Sequence, residues 1–140
     1  MSLPRVLLAD DSAAVLEVMK QLLKPEFEVV GTVQDGVSLV AAAQKLDPDV
    51  MIVDVAMPGL SGFEAAKQLR KSHVRGIIVF LSFHEDVSFI AEARSIGTMG
   101  YVFKSSANQD LVVAIHEALE GRFFVSPRHD HREIVHREES

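Results

Sequence analysis

Five polar residues stand where short apolar runs end, and their types suit phosphoryl-transfer chemistry. "RVLLADDS" runs straight into Asp10 and Asp11, "DVMIVDV" carries Asp54, "GIIVFLS" ends in Ser82 and "GYVFK" ends in Lys104. Three carboxylates gathered at one place repel one another: a like-charged pair at 4 Å costs about 4 kcal/mol at an effective dielectric of 20. Proton uptake or a shared cation relieves that repulsion. An oxygen-only ligand set without histidine favours a hard ion, Mg²⁺ before Ca²⁺, and Lys104 offsets part of the remaining charge. A dication, an ammonium, a hydroxyl and a carboxylate together allow an aspartate to attack phosphorus in line, with an aspartyl phosphate as product. Singly, each residue has an ordinary reading: Asp11 caps a helix, Ser82 ends a strand at a turn, Lys104 is a surface lysine. Asp54 resists that reading, since "VDVAMPGLSG" leaves roughly eight residues before the next helix. The joint occurrence at four strand ends carries the argument.

The elements that must position these residues follow from periodicity. Apolar runs at 5–9, 27–33, 49–55, 76–82 and 100–104 are short and rich in Val, Ile or Phe, so they are expected to be five strands. Between them lies helical spacing. Val15, Met19, Leu22 and Leu23 form the stripe expected for the first helix, with Ser12 or Asp11 as its cap and Pro25 as its stop. Three helices are expected at 37–45, 62–71 and 86–96, and a last one along Leu111, Ala114, Ile115, Ala118 and Leu119. Alternating strands and helices imply a parallel sheet covered on both faces, an α/β fold with five helices. In such a sheet ligands bind beyond the carboxyl ends of the strands, where the five polar residues lie.

The 140 residues are expected to form a single domain. Hydrophobic residues make up 48% and charged residues 24%, a balance that suits a packed core. The absence of cysteine excludes disulfides, thiolate zinc sites and cysteine nucleophiles, and fits a reducing cytoplasm. No leader pattern opens the chain and no apolar run reaches about 18 residues, so a cytoplasmic location without membrane contact is expected. A net charge of −6 with scattered Lys and Arg argues against a basic nucleic-acid face.

The set Asp10-Asp11, Asp54 with "MPGLSG" after it, Ser82 and "YVFK" at 101–104 resembles the receiver domain of two-component response regulators, over about residues 4–125. The resemblance implies a flavodoxin-like doubly wound five-stranded sheet in the order 2-1-3-4-5. It implies that Asp54 accepts a phosphoryl group from a histidine kinase, and that Asp10, Asp11, Asp54 and the backbone carbonyl of Ala56 hold Mg²⁺. Lys104 would pair with the phosphoryl oxygens, Ser82 would turn its hydroxyl toward them, and Tyr101 would swing inward. That motion would remodel the face of helix 4, strand 5 and helix 5. "GYVFKSSANQDLVVAIHEALEGRFFVSP" at 100–127 is similar to receivers that precede a LuxR-type helix-turn-helix domain. By that likeness the output is DNA-binding transcription control through a domain absent from this chain, and homodimers are common in the family.

Three places depart from the family pattern. Phe83 stands where a small residue is usual, and its bulk is expected to narrow access to Asp54 or slow water attack. Ser105 replaces a frequent proline, and Ala56 and His84 occupy positions that modulate the lifetime of the phosphoryl group. Phe83 therefore feeds an alternative, an unphosphorylated receiver that acts as an interaction module. An aspartate-nucleophile phosphatase would carry a second acid two residues after the nucleophile, where Ala56 stands. No strand is followed by a Ser/Thr/Gly-rich phosphate loop that would suit a flavin. The polar segment 126–140, with His129, His131 and His136, is expected to be a solvated tail or the start of a linker. Thirteen residues after Pro127 are too few for a DNA-binding domain, so a piece of a longer chain or a stand-alone receiver is expected.

Overall fold

The computed structural model describes residues 2–127. The expected polar tail with His129, His131 and His136 lies almost wholly outside them. Strands β1 (Arg5–Ala9), β2 (Glu28–Val33), β3 (Val50–Asp54), β4 (Ile77–Ser82) and β5 (Gly100–Phe103) alternate with helices α1 (Ala13–Leu23), α2 (Gly36–Leu46), α3 (Gly62–Lys71), α4 (Val87–Ile96) and α5 (Ala107–Leu119). A sixth strand, β6 (Phe124–Val125), follows α5, and all pairings are parallel in the order β2-β1-β3-β4-β5-β6.

The sixth strand adds one at the edge of the expected five, whose order 2-1-3-4-5 is found. It is only two residues long, too short to leave a periodic signal, and it is fixed by backbone pairing of Phe124 with Gly100 and of Val125 with Tyr101. The next residue, Ser126, is also part of the fold. Its amide donates to the Tyr101 carbonyl at 3.1 Å and its Oγ accepts from the Phe103 amide at 3.0 Å. Ser126 is buried.

Side chains of successive strand residues point to opposite faces, and the two cores divide on that alternation. Val6, Leu8, Val50, Ile52, Val79, Leu81 and Val102 pack with α1 and α5; Leu7, Ala9, Met51, Val53, Ile78, Phe80, Tyr101 and Phe103 pack with α2, α3 and α4. Every residue of β3 is buried, as expected of a parallel strand covered on both faces. In α1 the buried stripe is Leu16, Met19 and Leu23, while Val15 and Leu22 are half-buried. Leu16 thus joins the expected stripe, and Val15 and Leu22 flank it against the same core. Ser12 is its cap, accepting from the Val15 amide at 3.2 Å.

Candidate functional site

The alternation that builds the cores also aims the polar residues. Asp10 continues the series Val6, Leu8; Asp54 continues Val50, Ile52; Lys104 continues Val102. All three leave the sheet on the α1/α5 side. Ser82 continues Ile78 and Phe80 toward the α4 side, where Tyr101 also packs.

Local structure fixes each of them. The Asp10 amide donates to the Val33 carbonyl at 3.1 Å, and Asp10 Oδ1 accepts from the Ser12 amide at 2.9 Å. The Ala56 amide donates to Asp54 Oδ1 at 3.1 Å, and the Gly62 amide donates to the Val55 carbonyl at 2.9 Å. A Cβ at Gly62 would stand 2.2 Å from the Asp54 carbonyl oxygen, so only glycine lets α3 begin this close to β3. Ser61 and Glu64 complete a capping box at the same helix start.

Lys104 Nζ lies 2.9 Å from Asp10 Oδ2 and 3.3 Å from Asp54 Oδ2. Asp10 and Asp54 are buried, whereas Asp11 is exposed. Burial, and then the Asp10 carboxylate beside it, push the Asp54 pKa up to about 6, against the opposing pull of Lys104. Burial alone would lower the Lys104 pKa, but the two carboxylates outweigh it and raise it.

One carboxylate oxygen from each of Asp10, Asp11 and Asp54 falls within 4.8 Å of the others. Asp10 Oδ2 is buried and, beyond its ion pair with Lys104, accepts no hydrogen bond. One ammonium offsets only part of the repulsion among three acids this close, and a cation shared by all three relieves the rest. The residues fit a hard metal ion. Asp11, Asp54, Ala56, Ser82 and Lys104 line one cleft of about 260 Å³, together with the exposed Phe83 and His84. A larger cavity of about 620 Å³, around Pro4, Asp49 and Gly76, lies at the opposite ends of the strands and holds none of these groups.

The loop after β4 joins Ser82 to Tyr101. The His84 amide donates to Ser82 Oγ at 2.9 Å, and the Tyr101 hydroxyl donates to the His84 carbonyl at 2.7 Å. Tyr101 is wholly buried, and burial raises its phenol pKa, with the Ser82 hydroxyl opposing. The His84 ring stacks on Phe89 of α4 at 4.5 Å. Sequence reasoning named Ser82, His84 and Tyr101 separately but not this connection, because it runs through backbone atoms of a loop. Phe83 is 73% exposed, with Lys104 Nζ 4.9 Å from its ring centre.

The response regulator receiver domain matches residues 6–116. YdfI, a transcriptional regulatory protein of Bacillus subtilis, is 31% identical over 125 residues, covering 88% of this chain and 58% of YdfI. The nitrate/nitrite response regulator protein NarL of Escherichia coli is 33% identical over 86% of this chain and 57% of its own length. The chain thus spans rather more than half the length of these relatives. PdtaR of Mycobacterium tuberculosis is 33% identical, with 95% of this chain and 70% of PdtaR covered. Among solved structures, a LuxR-family two-component response regulator from Aurantimonas sp. superposes with a TM-score of 0.86 at 30% identity, over 99% of this chain and all of that one. The signal receiver domain of the putative response regulator NarL from Mycobacterium tuberculosis gives 0.82 at 26% identity, over 87% of this chain and all of that one. Sheet order, the acidic cluster and these likenesses agree: the chain belongs to the response regulator receiver domain family.

Proposed function

We propose that this chain is the phospho-accepting switch of a two-component system, with residues 4–125 as the receiver and Asp54 as the acceptor of a phosphoryl group from a histidine kinase. The observation that carries the reading is the buried Asp54 carboxylate held between an ammonium and an acidic cluster able to take a dication. Asp10, Asp11, Asp54 and the backbone carbonyl of Ala56 would hold Mg²⁺, which when bound neutralises phosphoryl charge and lowers the Asp54 pKa.

The protein groups supply the rest. The Asp54 carboxylate attacks phosphorus in line with the donor imidazole nitrogen, the O–P bond forms as the N–P bond breaks, and the leaving imidazole takes up a proton. Lys104 gives up Asp54 Oδ2 and pairs with a phosphoryl oxygen, while Asp10 keeps its ammonium in place. Ser82 offers its hydroxyl to a second phosphoryl oxygen, which requires it to turn from the His84 amide. The His84 carbonyl, tied to Tyr101, moves with that loop, so the change reaches the face of α4, β5 and α5. Two charge-assisted hydrogen bonds, at roughly 1.5 to 3 kcal/mol each, approach the ~5.5 kcal/mol that takes a two-state equilibrium from 1:99 to 99:1. The switch has only self-phosphorylation and self-dephosphorylation chemistry and is not a dedicated enzyme.

The likeness to transcriptional regulators of the LuxR type supports an output in transcription control, through a DNA-binding domain beyond this chain, in the cytoplasm and with homodimers as one form of the active species. Residues 126–140 would begin the linker or form a tail, anchored at its first residue by the bonds of Ser126 to β5. Borohydride reduction tests the acceptor: it converts an aspartyl phosphate to homoserine, so peptide mapping after treatment with phosphoramidate should place homoserine at position 54 and nowhere else. Homoserine at position 10 or 11 instead would contradict the assignment.

A further inference from the structure

Phe83 is an anomaly of packing. Phe80, Tyr101 and Phe103 are completely buried, whereas Phe83 is 73% exposed and, among the described residues, stacks on no other ring. Its neighbour His84 takes Phe89 as a partner. Phe83 borders an apolar hollow beside α1, and its ring lies under Lys104, whose Nζ is 4.9 Å from the centre and inside the range of about 6 Å in which a ring face attracts a cation.

Lys104 needs such a restraint. Its ammonium sits on a flexible four-carbon stem, and its inner contacts are the charges of Asp10 Oδ2 and Asp54 Oδ2. When a phosphoryl group arrives on Asp54, Lys104 must exchange Asp54 Oδ2 for a phosphoryl oxygen, and during that exchange only the Asp10 carboxylate holds the ammonium. A ring face beside it favours the ammonium where it already stands.

We infer that Phe83 is a positioning residue for Lys104: its ring face holds the ammonium over the Asp10–Asp54 pair, ready for the incoming phosphoryl oxygens. This deepens, and rests on, the reading of Asp54 as phospho-acceptor. It reverses the sign that bulk alone implies. A side chain that only obstructs the cleft slows phosphorylation and speeds it when removed; a side chain that positions Lys104 does the opposite.

The test compares Phe83→Leu, which keeps apolar bulk without a π face, Phe83→Tyr, which keeps the face, and Phe83→Ala. The rate of adduct formation on Asp54 from acetyl phosphate at saturating Mg²⁺ should fall roughly two- to five-fold in Phe83→Leu and Phe83→Ala, the size of one exposed cation–π contact, and stay at the wild-type value in Phe83→Tyr. In proton NMR spectra the Lys104 Hε signals should be displaced upfield by the ring in wild type and Phe83→Tyr, and return to ordinary values in Phe83→Leu. Wild-type rate in Phe83→Leu, acceleration in Phe83→Ala, or unshifted Hε signals in wild type would each overturn the role of Phe83 alone. A wild type that takes no adduct at all would overturn the underlying acceptor reading, and the positioning role with it.

Discussion

Lys104 Nζ stands 3.3 Å from Asp54 Oδ2, so the acceptor carboxylate is paired with an ammonium before any phosphoryl group arrives. Asp54 is buried and Lys104 half-buried, and the same nitrogen is also paired with the fully buried Asp10. The arrangement stores its acids at the cost of repulsion between them, and the lysine is what makes that tolerable without a metal. Each group therefore has a measurable effect on the resting protein as well as on phosphorylation.

Lys104→Met should be tolerated poorly. It leaves two buried carboxylates without their cation, a loss on the order of 3 kcal/mol for a broken buried pair. Urea unfolding at pH 8 in EDTA should show that loss. It should shrink at pH 5, where Asp54 is largely protonated, and when Mg²⁺ is added.

The Asp54 pKa yields a pH prediction with a definite sign. The folded value, about 6, lies above the ordinary 3.8, so between these two pH values the folded state holds a proton that the unfolded state has lost. Asp54 contributes most favourably below pH 4, and that contribution is lost as pH rises through 6, by about 3 kcal/mol for a displacement of this size. Asp54→Asn should accordingly be more stable than wild type at pH 7 without Mg²⁺ and should lack this component of the pH slope. Denaturant titrations from pH 4 to 7 on both proteins check it.

Asp11 gives a cleaner test of the metal site, because it is exposed and its removal disturbs no core. Mg²⁺ at 100 times its Kd should stabilise wild type by about 2.7 kcal/mol. Asp11→Asn should leave the Tm in EDTA within a degree or so while raising the Mg²⁺ concentration needed for half the stabilisation at least about tenfold, the effect of about 1.4 kcal/mol of lost binding. Thermal unfolding at graded Mg²⁺ measures both.

Ser126→Ala should reveal the sixth strand. Ser126 Oγ is the acceptor for the Phe103 amide, and losing it leaves a buried donor unsatisfied at a cost of about 1–3 kcal/mol. Faster hydrogen exchange at Phe103 and Ser126, with α1 and β1 unaffected, would locate that cost at the β5–β6 edge.

The alternation in "RVLLAD" and "VMIVD" already implies the two-faced sheet and the common side from which Asp10 and Asp54 emerge, because a strand's period of two is a steric property of the backbone. Helix positions were readable from apolar stripes, as along Leu111 to Ala118, although Leu119, expected to end that stripe, is exposed. Three features were not readable. Strand β6 rests on backbone hydrogen bonds over two residues and the Ser126 hydroxyl, none of which has a periodic signature. The link from Ser82 through the His84 peptide to Tyr101 depends on loop geometry, and the direction taken by the Phe83 ring was equally open to a reading from bulk alone.

The central claim is that Asp54 is phosphorylated in a reaction that needs the acidic cluster. Intact-protein mass spectrometry after incubation with acetyl phosphate, with Mg²⁺ or with EDTA, on wild type and Asp54→Asn, tests it most directly. A single phosphoryl adduct on wild type that appears only with Mg²⁺ and is absent from Asp54→Asn is the predicted result. An unmodified wild type in the presence of Mg²⁺, or an equal adduct on Asp54→Asn, would contradict the account and leave a receiver fold that acts only by binding partners.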